Sequence, residues 1–335
     1  MTKRLKSILL KSGYSVLVCV IILIALEFSA RAIGLGDPII YYNSAWGGLR
    51  PLPNQHVSRL KGSTVTIDVN GFRSKGPDSE NALRILYLGD SVTWGGSSVD
   101  DEKLFSEVAA DVLRNTGLEI YAMNSGVNGT SLSNQAEIFM QWQDSVDVVV
   151  WLFPWNDAYR AYAASGLLWP PNKRPLFALV EVIDHVIRTR WLTSFREHTS
   201  AAGEEFISPE TPAGYEQFYE TVLADRTRKN LRALEQAVQI ALRDGIPVVA
   251  GITPRRVGNR LLSFPAEAAD VLRLLEGLGV QIMDVAAVFS SGVNLERAFI
   301  DEVHFTTEGH RLVGEALGSE LLMILHEPMV DEGDS

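Results

Sequence analysis

Cysteine is almost missing from this chain: Cys19 is the single one in 335 residues. One thiol excludes an internal disulfide framework and any cysteine-based metal cluster. Because Cys19 sits inside an apolar N-terminal run, the rest of the chain is cysteine-free, which suits export to an oxidising compartment without requiring it. Positive charge is also in deficit. Lys and Arg number 30 against 41 Asp and Glu, a net charge of −11 at pH 7. Binding a phosphate backbone needs a basic surface, so nucleic acid is not expected as a partner. The sequence holds no G-x-x-x-x-G-K-[ST] loop, no G-x-G-x-x-G after a strand and no H-E-x-x-H, which removes the commonest nucleotide and zinc readings. Neither a metal nor an organic cofactor is expected. The G-x-S-x-G elbow of the α/β-hydrolase fold is absent too, as are internal repeats. Disorder is excluded by 46% hydrophobic and 21% charged residues, an ordinary globular balance.

What is present begins with a basic N-terminus. Lys3, Arg4, Lys6 and Lys11 precede an uncharged stretch from Ser12 to Leu26 that ends at Glu27. Counted back to Ile8, with Lys11 reaching to the interface, the run approaches the ~20 residues that span a bilayer. The expectation is a single-pass anchor over 1–33 in the cytoplasmic membrane, with the body of the protein outside it. A cleavable signal peptide is the alternative, since Ala30-Arg31-Ala32 fits a small-x-small cleavage site.

Residues 34–80, rich in Gly and Pro, read as a juxtamembrane connector with a short strand at Thr64–Val69. From residue 81 the pattern alternates. Strands are expected at Arg84–Leu88, Glu119–Met123, Val146–Phe153, Ile246–Ile252 and Val280–Met283. Helices are expected at Lys103–Asn115, Tyr215–Asp244, Ala266–Gly277 and Thr307–His326. Continuous Val/Ile/Leu runs suit strands buried on both faces of a parallel sheet. The fold class that follows is α/β, a three-layer α/β/α sandwich on a five-stranded parallel sheet, over 81–327. Residues 158–213 break the alternation and are too long for a plain connection; they form either a lid or acyl-binding wall, or a helical decoration. The acidic end, 328–335, reads as a tail.

Chemistry concentrates at the ends of the expected strands, where open parallel sheets bind ligands. Gly89-Asp90-Ser91 follows the first strand, so Ser91 stands at that edge, with Asp90 and Thr93 available to cap the next helix. Met123-Asn124-Ser125-Gly126-Val127-Asn128-Gly129 follows the second strand, and Gly129 can offer a backbone N–H to an oxyanion. Phe153-Pro154-Trp155-Asn156-Asp157 follows the third, with the Asn156 amide in the same role and Trp155 as a substrate contact. Near the C-terminus, Asp301-x-x-His304 can pair carboxylate to Nδ1 and leave Nε2 for Ser91. His310 competes with His304 but lacks an Asp at short range. Arg73, in Asn70-Gly71-Phe72-Arg73, either holds an anionic substrate group or pairs with a surface carboxylate. Arg255, Arg256 and Arg260 form a basic stretch leaving the fourth strand.

A serine, a glycine amide, an asparagine amide and a histidine at four strand ends resemble the SGNH (GDSL-like) hydrolase family, over about 70–326. The resemblance implies a flavodoxin-like sandwich, Ser91 as nucleophile, His304 as base, Asp301 as its orienting acid, and an oxyanion hole from Ser91, Gly129 and Asn156. Two departures stand out: Pro154 occupies the position of the family's third-block glycine, and the 158–213 insertion has no counterpart in compact members. The activity implied is extracytoplasmic ester hydrolysis of esterase, lipase or deacetylase type on an acylated small molecule, lipid or glycan. The alternatives are O-acyl transfer to an envelope polysaccharide through the same residues, and a non-catalytic envelope scaffold or glycan-binding module.

Overall fold

The computed structural model describes residues 3–59, 62–77, 79–163, 171–184, 186–187, 222–262, 266–289 and 292–326. Its first element, α1 (Lys3–Ala32), is one uninterrupted helix. Residues Lys11–Ala32 form a 22-residue apolar span of which 6% is buried. That is long and apolar enough for a membrane anchor or a signal sequence. The helix continues past Glu27, where the uncharged stretch stops, because Arg31 pairs with Glu27 at 2.7 Å across one turn.

The expected connector folds against the domain as two antiparallel hairpins. One pairs β1 (Tyr41–Asn43) with β2 (Leu49–Pro51); the other pairs β3 (Gln55–Ser58) with β4 (Thr64–Ile67). Ile39, Val57, Val65 and Ile67 make a small separate core there, sealed by Trp94.

The main sheet has five parallel strands, β5 (Leu83–Leu88), β6 (Ile120–Asn124), β7 (Val148–Pro154), β8 (Val248–Thr253) and β11 (Gln281–Ile282), in the order β11-β8-β7-β5-β6. Between β8 and β11 lies a hairpin of β9 (Arg255–Val257) and β10 (Arg260–Leu262). Side chains alternate across the sheet, and both faces are dry. Ile85, Tyr87, Val148 and Val150 meet α3 (Phe105–Arg114) and the C-terminal helix Thr307–His326 on one side. Leu86, Leu88, Val149 and Trp151 meet α4 (Leu132–Trp142) and the helices Ala224–Arg243 and Ala266–Gly277 on the other. This is the three-layer α/β/α sandwich that the Val/Ile/Leu runs imply. Each such residue, fully buried, contributes about 1.5–3 kcal/mol, which is why the strands tolerate no polar face.

The strand order reverses between β5 and β7, so a crevice opens at their carboxyl ends. Helix α4 lies where the sequence pattern singles out no helix. Its Asn134 and Gln135 are fully buried and blur the apolar period, because both serve as interior hydrogen-bonding groups. Asn134 completes a capping box with Ser131 and donates to the Gly47 and Ala163 carbonyls at 3.0 and 3.1 Å. The insertion thus starts by folding back onto α4 at Ala163. Trp169-Pro170, residues 188–213, residues 215–221 of the expected long helix and the acidic tail lie outside the described residues.

Candidate active site

Strand β5 delivers Ser91 to the crevice through a tight turn. A Cβ on Gly89 would lie 2.0 Å from Thr93 Oγ1 and 2.3 Å from the Leu152 carbonyl, so only glycine lets the chain pass that close to β7. Asp90 caps the short helix α2 (Ser91–Trp94), accepting the Val92 N–H at 2.9 Å. Thr93 does not share the capping role expected of it: its hydroxyl donates to the Leu152 carbonyl at 2.9 Å and ties α2 to β7. The β6 loop is pressed against α2 in turn, since a Cβ on Gly126 would meet the Trp94 nitrogen at 2.2 Å.

On the loop before the last helix, Asp301 Oδ1 accepts the Val303 and His304 N–H groups at 2.9 and 2.8 Å. That turn places Asp301 Oδ2 2.7 Å from His304 Nδ1, and His304 Nε2 2.8 Å from Ser91 Oγ. The network assigns the imidazole proton to Nδ1, leaving Nε2 as acceptor for the serine hydroxyl. Burial alone would raise the Asp301 acid, but the two N–H groups and the His304 imidazole outweigh it and hold the carboxyl below its usual range.

His310 sits apart from this relay. It is fully buried, stacked on Phe105 and edge-on to Phe305, with Nδ1 accepting the Phe105 N–H at 3.3 Å. Burial, helped by the Arg73 and His304 charges, pushes its pKa down to about 3, so it is a neutral packing group.

The remaining expected site residues divide. Gly129 turns the chain after β6 at φ +75°, and Asn156 lies in the single 3-10 turn Trp155–Ala158 that follows β7. Among the described residues, neither the Ser91 N–H nor the Gly129 N–H has a protein acceptor, and Asn156 Oδ1 is buried without a partner. The Ser91 and Gly129 N–H groups therefore stand at the sheet edge as unused donors, whereas the unpartnered atom of Asn156 is an acceptor. Pro154, at φ −73° and ψ 153°, is the last residue of β7 and pairs with Thr253; the extended strand suits a proline there. Trp155 packs partly buried against the core and tilts onto Tyr159.

Arg73 requires correction as a substrate contact. It is 1% exposed, donates to Asp101 at 2.9 Å and to the Trp94, Gly96 and Val99 carbonyls at 2.6, 2.8 and 2.6 Å, and lies over the Trp94 ring. Its guanidinium is consumed in holding the loop after α2, and its carboxylate partner is buried rather than on the surface. The basic stretch after β8 forms the β9–β10 hairpin. Arg255 reaches Glu302, beside Asp301, at 2.5 Å, and the Arg256 N–H donates to the Glu302 carbonyl at 2.6 Å. The hairpin thereby braces the Asp301–His304 loop.

One group escaped the sequence reading. Asp90, next to Ser91, and Asp157 are both fully buried, and Arg160 lies 3.5 Å from the first and 3.3 Å from the second. Burial, then the Asp90 charge, drives the Asp157 acid well above the usual carboxylate range, with Arg160 and Gln135 opposing. Asp90 Oδ2 also accepts from Ser91 Oγ at 3.1 Å, giving the hydroxyl a second acceptor. The signal was faint: an arginine three residues past Asn156-Asp157 looks like surface until the chain folds. A cavity of about 220 Å³ opens beside Ser91, walled by Val92, Gly95, Asn128, Ile300 and Phe305; Gly129 and Asn156 stand outside its lining.

The profile of the GDSL-like lipase/acylhydrolase family matches residues 85–317. The chain belongs to that family. Membership makes this GDSL-like protein a hydrolase of ester bonds. No curated protein gives a match. Solved structures similar to the GDSL-like domain include a lipolytic G-D-S-L protein from Veillonella parvula, 15% identical over 72% of this chain and 99% of its own, TM-score 0.39. Others are a lipase/acylhydrolase from Enterococcus faecalis (15%, 71% and 95%, TM-score 0.41) and an acetylxylan esterase from Geobacillus stearothermophilus (13%, 72% and 96%, TM-score 0.41).

Proposed function

We propose that this chain is a membrane-anchored, extracytoplasmic serine esterase with Ser91, His304 and Asp301 as its catalytic triad. The observation that carries the reading is the unbroken relay from Asp301 Oδ2 through His304 to Ser91 Oγ, at 2.7 and 2.8 Å. Ser91 Oγ attacks the ester carbonyl carbon while its proton passes to His304 Nε2. Asp301 keeps the imidazole in the required tautomer and offsets the imidazolium that forms. The negative charge arising on the carbonyl oxygen is met by the Ser91 and Gly129 N–H groups and the Asn156 amide, a contribution of about 2.7–4 kcal/mol for one such donor. The imidazolium then protonates the leaving alkoxide, and water repeats the sequence on the acyl-enzyme. The 22-residue apolar span exceeds the ~7–15-residue core of a signal peptide, which favours an uncleaved helix, and the basic residues ahead of it favour an enzyme domain outside the membrane.

The small cavity favours a short acyl group, since drug-sized ligands occupy roughly 300–1,000 Å³. The His304 and Asp301 side chains are 37% and 52% exposed, so water reaches the acyl-enzyme, which favours hydrolysis over acyl transfer. The test is labelling by a fluorophosphonate probe together with p-nitrophenyl acetate turnover, with and without a sugar acceptor. Wild type should label and hydrolyse, and Ser91→Ala should do neither. Equal labelling of both, or of neither, refutes the triad and favours a scaffold. Acyl-sugar formation outrunning hydrolysis replaces the esterase with a transferase.

A further inference from the structure

Within the insertion, residues 176–187 read Leu-Phe-Ala-Leu-Val-Glu-Val-Ile-Asp-His-Val-Ile, with helical backbone at 178–184 and 186–187. The two sides of this helix differ sharply. One faces the domain: Ala178 is buried against Gly36, where an added Cβ would stand 2.8 Å away. On the same side the Glu181 carboxylate accepts the Gly36 N–H and an Arg59 N–H, both at 2.6 Å. The other side carries Val180, Ile183 and Ile187, spaced i, i+3, i+7 and 47, 57 and 52% exposed. Leu176 and Phe177, 81 and 54% exposed, continue the apolar surface ahead of the first turn. Soluble surfaces rarely gather so many large apolar side chains in one patch.

The position of this patch is fixed by α1. Glu27 accepts the Ala178 and Leu179 N–H groups at 2.8 and 3.1 Å, so a side chain of the apolar span caps the first turn of the amphipathic helix. Arg31 donates to the Leu176 carbonyl at 3.0 Å. At 1.5 Å of rise per residue, Glu27 lies about 7.5 Å along the axis from the end of α1 at Ala32. Interfacial helices bury their apolar face by ~5–10 Å at the boundary of headgroup and acyl chain. With Ala32 at the boundary of the bilayer that α1 crosses, the cap holds the first turn at that depth.

We propose that the apolar face of the helical residues 178–184 and 186–187 lies in the interface of the same bilayer that α1 crosses, attaching the domain at a second point and restricting its rotation about the anchor. The proposal rests on the reading of α1 as a retained anchor. The occupant is lipid because the patch is continuous with the end of the apolar span and is held there by its side chains.

The experiment uses the full chain with Cys19→Ser, reconstituted in phosphatidylcholine/phosphatidylglycerol vesicles. Single cysteines carry an environment-sensitive fluorophore at Ile183 (Ile183→Cys), at Leu17 in α1 (Leu17→Cys), or at the exposed Lys229 of the helix Ala224–Arg243 (Lys229→Cys). Lipids bearing nitroxide on the acyl chain should reduce emission roughly twofold or more from the Ile183 and Leu17 probes and leave the Lys229 probe to aqueous iodide. Val180→Cys, one turn away, should repeat the Ile183 result. Lipid quenching at Leu17 with iodide quenching at Ile183 overturns the proposal while leaving the anchor intact. No lipid quenching at Leu17 removes the anchor reading itself, and the proposal with it. An Ile183 probe shielded from both quenchers shows a cover of protein, from the rest of the insertion or a second copy, and also overturns it. Lipid quenching at all three positions does the same, because the patch is then no different from the remaining surface.

Discussion

Acid should destabilise this protein through His310, and the size of the effect follows from its surroundings. The imidazole is fully buried between Phe105 and Phe305 and accepts the Phe105 N–H. Its pKa is about 3 in the folded chain, against 6.5 for a free histidine. A depressed histidine binds its proton preferentially in the unfolded chain, so stability is complete above 6.5 and falls as the pH drops from there towards 3. At 1.36 kcal/mol per pH unit, this one side chain costs about 2 kcal/mol at pH 5 and about 4 kcal/mol near pH 3, relative to neutral pH. His310→Asn keeps an acceptor for the Phe105 N–H and removes the titration. The variant loses some stability at every pH from the volume deleted, so the informative quantity is the slope. Urea unfolding of the detergent-solubilised chain, followed by tryptophan fluorescence from neutral pH down to about pH 4, measures it. Wild type should lose about 2 kcal/mol more than His310→Asn by pH 5. Parallel curves would refute the reasoning. The same variant should still take up the fluorophosphonate probe at neutral pH, because His304 rather than His310 faces Ser91.

Asp301→Asn should keep the fold and lower kcat for p-nitrophenyl acetate by roughly 10³–10⁴-fold through the wrong imidazole tautomer; a loss under tenfold would remove Asp301 from the mechanism. Arg73→Met should destabilise by about 3–5 kcal/mol, since it strands the buried Asp101; chemical denaturation checks this, and a change within 0.5 kcal/mol, as at an ordinary surface site, would contradict the buried-strut reading. Gly126→Ala should cost at least about 1–3 kcal/mol and slow ester hydrolysis, because its Cβ would press on the Trp94 nitrogen and shift α2; thermal unfolding and a rate assay together decide it.

Strands and long helices were legible because their signal is local. The runs at Arg84–Leu88 and Val146–Phe153 are apolar on both faces, as a doubly covered sheet demands, and the five strands of the main sheet fall within two residues of the expected ones, whereas β1, β2, β3, β9 and β10 have no expected counterpart. Ala266–Gly277 and Thr307–His326 coincide with the expected helices because their apolar residues keep the helical spacing, even though the second helix also buries His310. Helix α4 was not legible, since the buried Asn134 and Gln135 look like surface until Ala163, Asp157 and Trp151 supply their partners. Arg73 failed for the same reason. Nothing in Asn-Gly-Phe-Arg says that three carbonyls and Asp101 will surround the guanidinium.

The sequence by itself determined the residue types of the candidate site and the strand ends that present them. Turn chemistry and strand periodicity are written in neighbouring residues, and a parallel sheet sends all its C-terminal ends to one edge. Tertiary structure brought His304, which the sequence already favoured over His310 for the Asp three residues before it, to Ser91, and left His310 to close the core beneath the crevice. It also decided that Asp90, Asp157 and Arg160 form a buried charge cluster, and that Glu27 of the apolar helix caps a second apolar segment 151 residues later. Such pairings depend on distances set by packing of the whole domain, which no local pattern encodes.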